Sequence, residues 1–130
     1  GSAVAGPGDT GVVIQLKVRN NPGILGMSLK VTYSSEAMEL IDSGNGAALS
    51  KLTFTKPGKY KPGCVFTWYA EQIRAEDVVD GEILTLTFRI LDDTPSGEYP
   101  IEVSFVEGDI FDGDLQYLTL ALENGNIRIK

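Results

Sequence analysis

The feature that most constrains this chain is a series of short segments in which apolar residues recur at every second position. Val12, Ile14, Leu16 and Val18 alternate with Val13, Gln15, Lys17 and Arg19, the pattern of a strand with one face in a core. Leu25, Met27, Leu29, Val31 and Tyr33 make a second row and leave an unusually small opposite face of Gly26, Ser28, Lys30 and Thr32. Leu84, Leu86, Phe88 and Ile90 form a third. After the turn residues Asp92-Asp93-Thr94-Pro95-Ser96-Gly97, Ile101, Val103 and Phe105 form a fourth; these two rows read as the clearest hairpin. Leu118, Leu120 and Leu122 continue the pattern, and Asn124-Gly125 turns the chain into Ile127 and Ile129.

Leu52-Thr53-Phe54-Thr55 and Val65-Phe66-Thr67-Trp68-Tyr69 are β-branched and aromatic, and read as two paired strands separated by a loop with Pro57 and Pro62. Asn20-Asn21-Pro22-Gly23 is turn punctuation, since proline fixes its φ and glycine accepts a positive one. Residues 34–40 read as a connector with one helical turn, and 71–80 as a surface loop. The sum is an all-β chain of about nine short strands with no long 3.6-residue period. That pattern points to an antiparallel sandwich or barrel.

At 130 residues the chain suits a single domain spanning 1–130 that buries about two-thirds of its unfolded surface. Gly1-Ser2 reads as a cloning scar. Eighteen acidic against eleven basic residues give a net charge of −7, which repels nucleic acid and anionic lipid. No apolar run approaches the roughly 20 residues needed to span a bilayer. With one cysteine, Cys64, and no histidine, an intrachain disulfide and the usual zinc sites are excluded. Cys64 reads as a half-buried filler in or beside a strand.

The same lack of histidine leaves paired carboxylates as the remaining catalytic option. Glu71, Glu107, Asp109, Asp112 and Asp114 are the acids to consider, and their loop setting favours simple solvation. Asp109, Asp112 and Asp114 lack the order of an EF-hand loop and its closing glutamate, so neither a catalytic group nor a metal site is expected. Phe66 and Trp68 share one face of their strand, and Val65, Thr67 and Tyr69 the other. Two readings stay open: both large rings in the core, or both outside beside Gly26 and Ser28 as an apolar binding patch.

The segments Asn20-Asn21-Pro22-Gly23-Ile24, Ala37-Met38-Glu39-Leu40, Phe66-Thr67-Trp68, 80–88 (DGEILTLTF) and Glu123-Asn124-Gly125 lie in an order and spacing that resembles the cohesin modules of cellulosome scaffold proteins, nearly end to end and most like type I. The resemblance implies a nine-stranded jelly-roll sandwich with no enzymatic activity. It also implies an extracellular location, secreted or attached to the cell surface through a parent protein, in a fibre-degrading anaerobe. The implied partner is a dockerin whose binding depends on calcium held in the dockerin, with no cofactor in the module itself. By position, the implied docking residues are Gly26, Ser28, Lys30, Phe66, Trp68, Ala70, Glu71, Asp114 and Leu115. The family often has Asn and Asp where this chain has Gly26 and Ser28. A one-residue slip in the 56–64 loop would instead turn Thr67 and Tyr69 to the partner. The expected module is a monomer whose acidic rim steers a basic partner, and in which Trp68→Ala weakens binding while the fold survives. The competing reading is a carbohydrate-binding module of related jelly-roll fold, stacking sugars on Trp68, Tyr69, Tyr60 and Tyr117.

Overall fold

The computed structural model describes residues 2–19, 23–70, 76, 79–105, 111–112, 121–122 and 125–130, with the backbone alone at 18, 19, 105, 111, 112, 121 and 122. The described strands are β1 (Ser2–Ala5), β2 (Val12–Arg19), β3 (Ile24–Thr32), β4 (Met38–Asn45), β5 (Thr53–Thr55), β6 (Cys64–Tyr69), β7 (Gly81–Ile90), β8 (Gly97–Phe105), β9 (Phe111–Asp112), β10 (Ala121–Leu122) and β11 (Gly125–Ile129). A 3-10 turn, Ala47–Leu49, follows β4. One sheet runs β1-β11-β8-β3-β6-β5, with β9 also on β3, and the other runs β10-β2-β7-β4. This is an all-β jelly-roll sandwich. Its described strands outnumber the expected nine: the short β1, the two-residue β9 and the half-polar β4 show no sustained alternation. The β1–β11 pairing is parallel, an exception to an otherwise antiparallel fold.

Alternation does build the core. Ile14 and Leu16 of β2 face Leu86 and Leu84 across the ladder, and all four are at most 1% exposed. Met27, Leu29 and Val31 of β3 close the same layer from the other sheet, and Tyr33 meets Phe88 edge to face at 5.3 Å. Gly23, at φ 93°, occupies the left-handed region that favours glycine, and β3 starts directly after it.

Two expectations are corrected. The rows at 84–90 and 101–105 are not a hairpin: β7 pairs with β2 and β4, whereas β8 pairs with β11 and β3. The 91–96 connection therefore crosses between sheets, held where Leu91 N–H and the buried Thr94 hydroxyl both donate to the Ala37 carbonyl, at 3.0 and 2.7 Å. Residues 34–40 form a short turn only to 37, closed by the Ala37 and Met38 N–H groups donating to the Ser34 carbonyl, and then enter β4. A bulge between Leu40 and Asp42 shifts the register within β4. Its later positions are Ser43, Gly44 and Asn45, so the apolar alternation of Met38 and Leu40 stops halfway along the strand.

Candidate partner-binding face

The outer surface of the β5-β6-β3-β8 sheet follows from the register. Tyr69 stands opposite Thr53 on one side and Gly26 on the other, Thr67 between Thr55 and Ser28, and Lys30 between Val65 and Ser104. Because strand side chains alternate, this puts Thr53, Thr55, Val65, Thr67, Tyr69, Ser28, Lys30 and Ser104 on one outward surface. Tyr69 is 51% and Val65 37% exposed, whereas Ser28 is 9% exposed, with its hydroxyl 3.4 Å from that of Thr67. The face is thus a bed of hydroxyls with one protruding phenol, one valine and a lysine.

Phe66 and Trp68 lie on the opposite side of β6, each 0% exposed, and the expectation that they face a partner is corrected. The β3–β6 register pairs them with Leu29 and Met27, so they follow those residues into the core. Phe54 stacks on Phe66 at 6.1 Å and tilts against Trp68 at 5.1 Å, while Tyr60 covers Phe66 at 6.4 Å. The indole N–H donates to Asn45 Oδ1 at 2.8 Å, and Asn45 Nδ2 donates to the Leu49 carbonyl at 2.9 Å. Ser43 and Tyr60 share a hydroxyl hydrogen bond of 2.8 Å. The polar end of β4 therefore satisfies the polar tips of two rings, Trp68 from β6 and Tyr60 from the β5–β6 loop. Ala70 shares their parity; it packs against the core and donates its N–H to the Leu25 carbonyl at 2.9 Å, so it too is removed from the outward set. Gly26, Ser28 and Lys30 lie on the outer face, where Val65, Thr67 and Tyr69 join them. Glu71, Asp114 and Leu115 lie outside the described residues.

The acids at 71, 107, 109 and 114 also lie outside the described residues, as does the Asp112 side chain. Among the described residues no group of three or more potential metal-ligating side chains assembles, and no helix is long and apolar enough to cross a membrane. Sugar stacking on several coplanar rings loses its principal member with Trp68 in the core; Tyr60 and Tyr99 are half-buried, and Tyr117 lies outside the described residues.

Cys64, 4% exposed, begins β6 on the inward side. Burial pushes its thiol pKa up, against weaker opposing hydrogen bonds, and burial likewise raises the Tyr33 phenol, aided by Cys64 itself. Both groups therefore favour their neutral forms when folded. Their stabilisation is complete below the unfolded-state pKa of the thiol, about 8.5, and declines above it. We expect Cys64 to resist a thiol reagent at neutral pH until the protein is unfolded, and urea midpoints to fall as pH rises beyond that value. Prompt labelling of folded protein would contradict this.

The comparisons agree with this architecture. The cohesin domain profile matches residues 1–129. Curated protein sequences give no match. Among solved structures, a type I cohesin–dockerin complex from Clostridium thermocellum superposes with a TM-score of 0.78 at 27% identity, covering 99% of this chain and 89% of that one. A non-cellulosomal cohesin from the archaeon Archaeoglobus fulgidus gives 0.81 at 20% identity over 100% and 87% of the two chains. The seventh ScaB type I cohesin of Pseudobacteroides cellulosolvens gives 0.77 at 20%, over 100% and 88%. With its two-sheet sandwich and a profile match over nearly its whole length, the chain belongs to the cohesin domain family.

Proposed function

We propose that this module is a non-catalytic receptor for a dockerin-bearing protein, and that it docks its partner on the outer face of the β5-β6-β3-β8 sheet. The observation that carries the choice of face is the outward row Val65-Thr67-Tyr69 beside the small Gly26 and Ser28. It offers a flat, rigid surface with an exposed aromatic anchor and donors around it. A preformed sheet gives up little conformational entropy on binding. Calcium belongs to the dockerin in this reading, and the module works outside the cell, secreted or attached through its parent protein.

Calorimetric titration against a panel of dockerins, with calcium and again with chelator, tests the function. Calcium-dependent binding to at least one supports it, and silence from a folded sample across the panel removes it. For the face, Tyr69→Ala is expected to weaken a binding dockerin by about 2 kcal/mol, roughly 30-fold, with an unchanged melting temperature. Wild-type affinity in that variant would move the interface elsewhere.

A further inference from the structure

The charge of this chain is unevenly distributed. Residues 51–69 carry four lysines and no acid, so the other 111 residues, with seven basic and eighteen acidic side chains, carry −11. The β5–β6 loop gathers this positive charge at one end of the outer face. Lys59 and Lys61 line an open depression of about 610 Å³ that Gly63 and Val65 also line. Lys30 reaches over from β3, its Cε close to Gly63 and its backbone paired with Val65. Lys30, Lys59 and Lys61 are all exposed. Among the described residues none of the three has a carboxylate within ion-pairing distance, whereas Lys56 meets Asp42 at 3.5 Å.

Three ammonium groups without a carboxylate partner among the described residues, two of them lining a depression that shares Val65 with the docking face, form a cationic edge on an otherwise acidic protein. We propose that Lys30, Lys59 and Lys61 receive a carboxylate-rich segment of the docked partner protein, which sets the partner's orientation and speeds its arrival. This rests on the docking face proposed above, and it reverses at this edge the expectation of an acidic rim attracting a basic partner. Complementary charge acts chiefly on association, and salt screens it. A segment of several closely spaced carboxylates matches three exposed ammonium groups carried on long side chains.

Two measurements test it. The first titrates 15N-labelled protein with decaglutamate at low salt. The expected shifts lie at the amides of residue 30 and of the non-proline residues of 56–65, are absent with decalysine, and disappear in Lys59→Glu/Lys61→Glu and largely in Lys59→Gln/Lys61→Gln, both checked for folding by circular dichroism. Unmoved amides would overturn the inference; shifts from polygalacturonate without shifts from decaglutamate would overturn it in favour of a polysaccharide. The second measures association of a binding dockerin, with about tenfold slowing of the Lys59→Glu/Lys61→Glu variant expected at low salt and none at about 0.5 M. A wild-type rate at low salt, with Tyr69→Ala still weakening binding, would overturn the lysine edge alone. If no dockerin binds while decaglutamate maps to these amides, the docking reading falls and the lysine edge stands.

Discussion

Trp68→Ala is expected to cost about 4 kcal/mol or more in urea unfolding. That is a large share of the about 5–15 kcal/mol by which domains of this size are stable, and it raises the unfolded fraction by roughly a thousandfold. The indole is 0% exposed, packs 5.1 Å from the Phe54 ring and donates to Asn45 Oδ1. Truncation leaves a cavity between the sheets and deprives the Asn45 carbonyl of its donor. Trp68→Phe separates the two contributions: it keeps most of the packing but loses the hydrogen bond, and a smaller loss of about 1–3 kcal/mol is expected. Any dockerin affinity that survives in the folded fraction of either variant should be that of the wild type, because the ring does not reach the outer face. A Trp68→Ala protein with unchanged unfolding and weakened binding would restore the exposed reading. Tyr69→Ala next door should behave in the opposite way.

The contrast between Trp68 and Tyr69 shows where sequence reasoning reached and where it stopped. Periodicity located β2, β3 and most of β5, β6, β7, β8 and β11 within a few residues, because each sends a row of apolar side chains inward. In β6 the inward and outward rows are both rich in large side chains, so hydrophobicity alone does not choose between Phe66/Trp68 and Thr67/Tyr69. The β3–β6 register makes the choice, through a contact 39 residues apart such as Ser28 with Thr67. The resemblance to cohesins gave the family; of the residues it implied for docking, Gly26, Ser28 and Lys30 share one outer face, whereas Phe66 and Trp68 are buried on the other side of β6.

Two features could not be decided from local signals. β4 is a strand whose later inward positions are polar and satisfied by Tyr60 and Trp68; a buried polar pair is visible only once both partners are placed. The β7–β8 turn is chemically suited to a hairpin, yet each strand has its better apolar neighbours in a different sheet, and long-range pairing overrides the turn. The lysines of 51–61 were visible as composition, but their convergence with Lys30 depends on the β3–β6 ladder.

Gly46→Ala is the second large effect expected. Gly46 has φ −81° and ψ 159°, a conformation any residue adopts, so its requirement for glycine is one of space. A Cβ there would overlap the Glu82 carbonyl carbon and oxygen and the Ile83 nitrogen, all backbone atoms of β7, while the Gly46 N–H donates to the Ile83 carbonyl at 3.0 Å. The close approach locks the 3-10 turn, and with it Leu49 at 0% exposure, onto the start of β7. Alanine must push the turn off β7, at an expected cost of about 3 kcal/mol or more. Gly44→Ala, two residues earlier and with nothing within 4 Å of its Cβ position, serves as the control and should change stability by no more than a few tenths of a kcal/mol to about 1 kcal/mol. Displacing the turn also moves the Leu49 carbonyl that holds Asn45, and Asn45 holds the indole. Gly46→Ala and Trp68→Phe should therefore be non-additive, the double variant losing less than the sum of the single losses by about 0.5 kcal/mol or more. Strict additivity in urea unfolding would show that the turn and the Trp68 hydrogen bond are energetically separate.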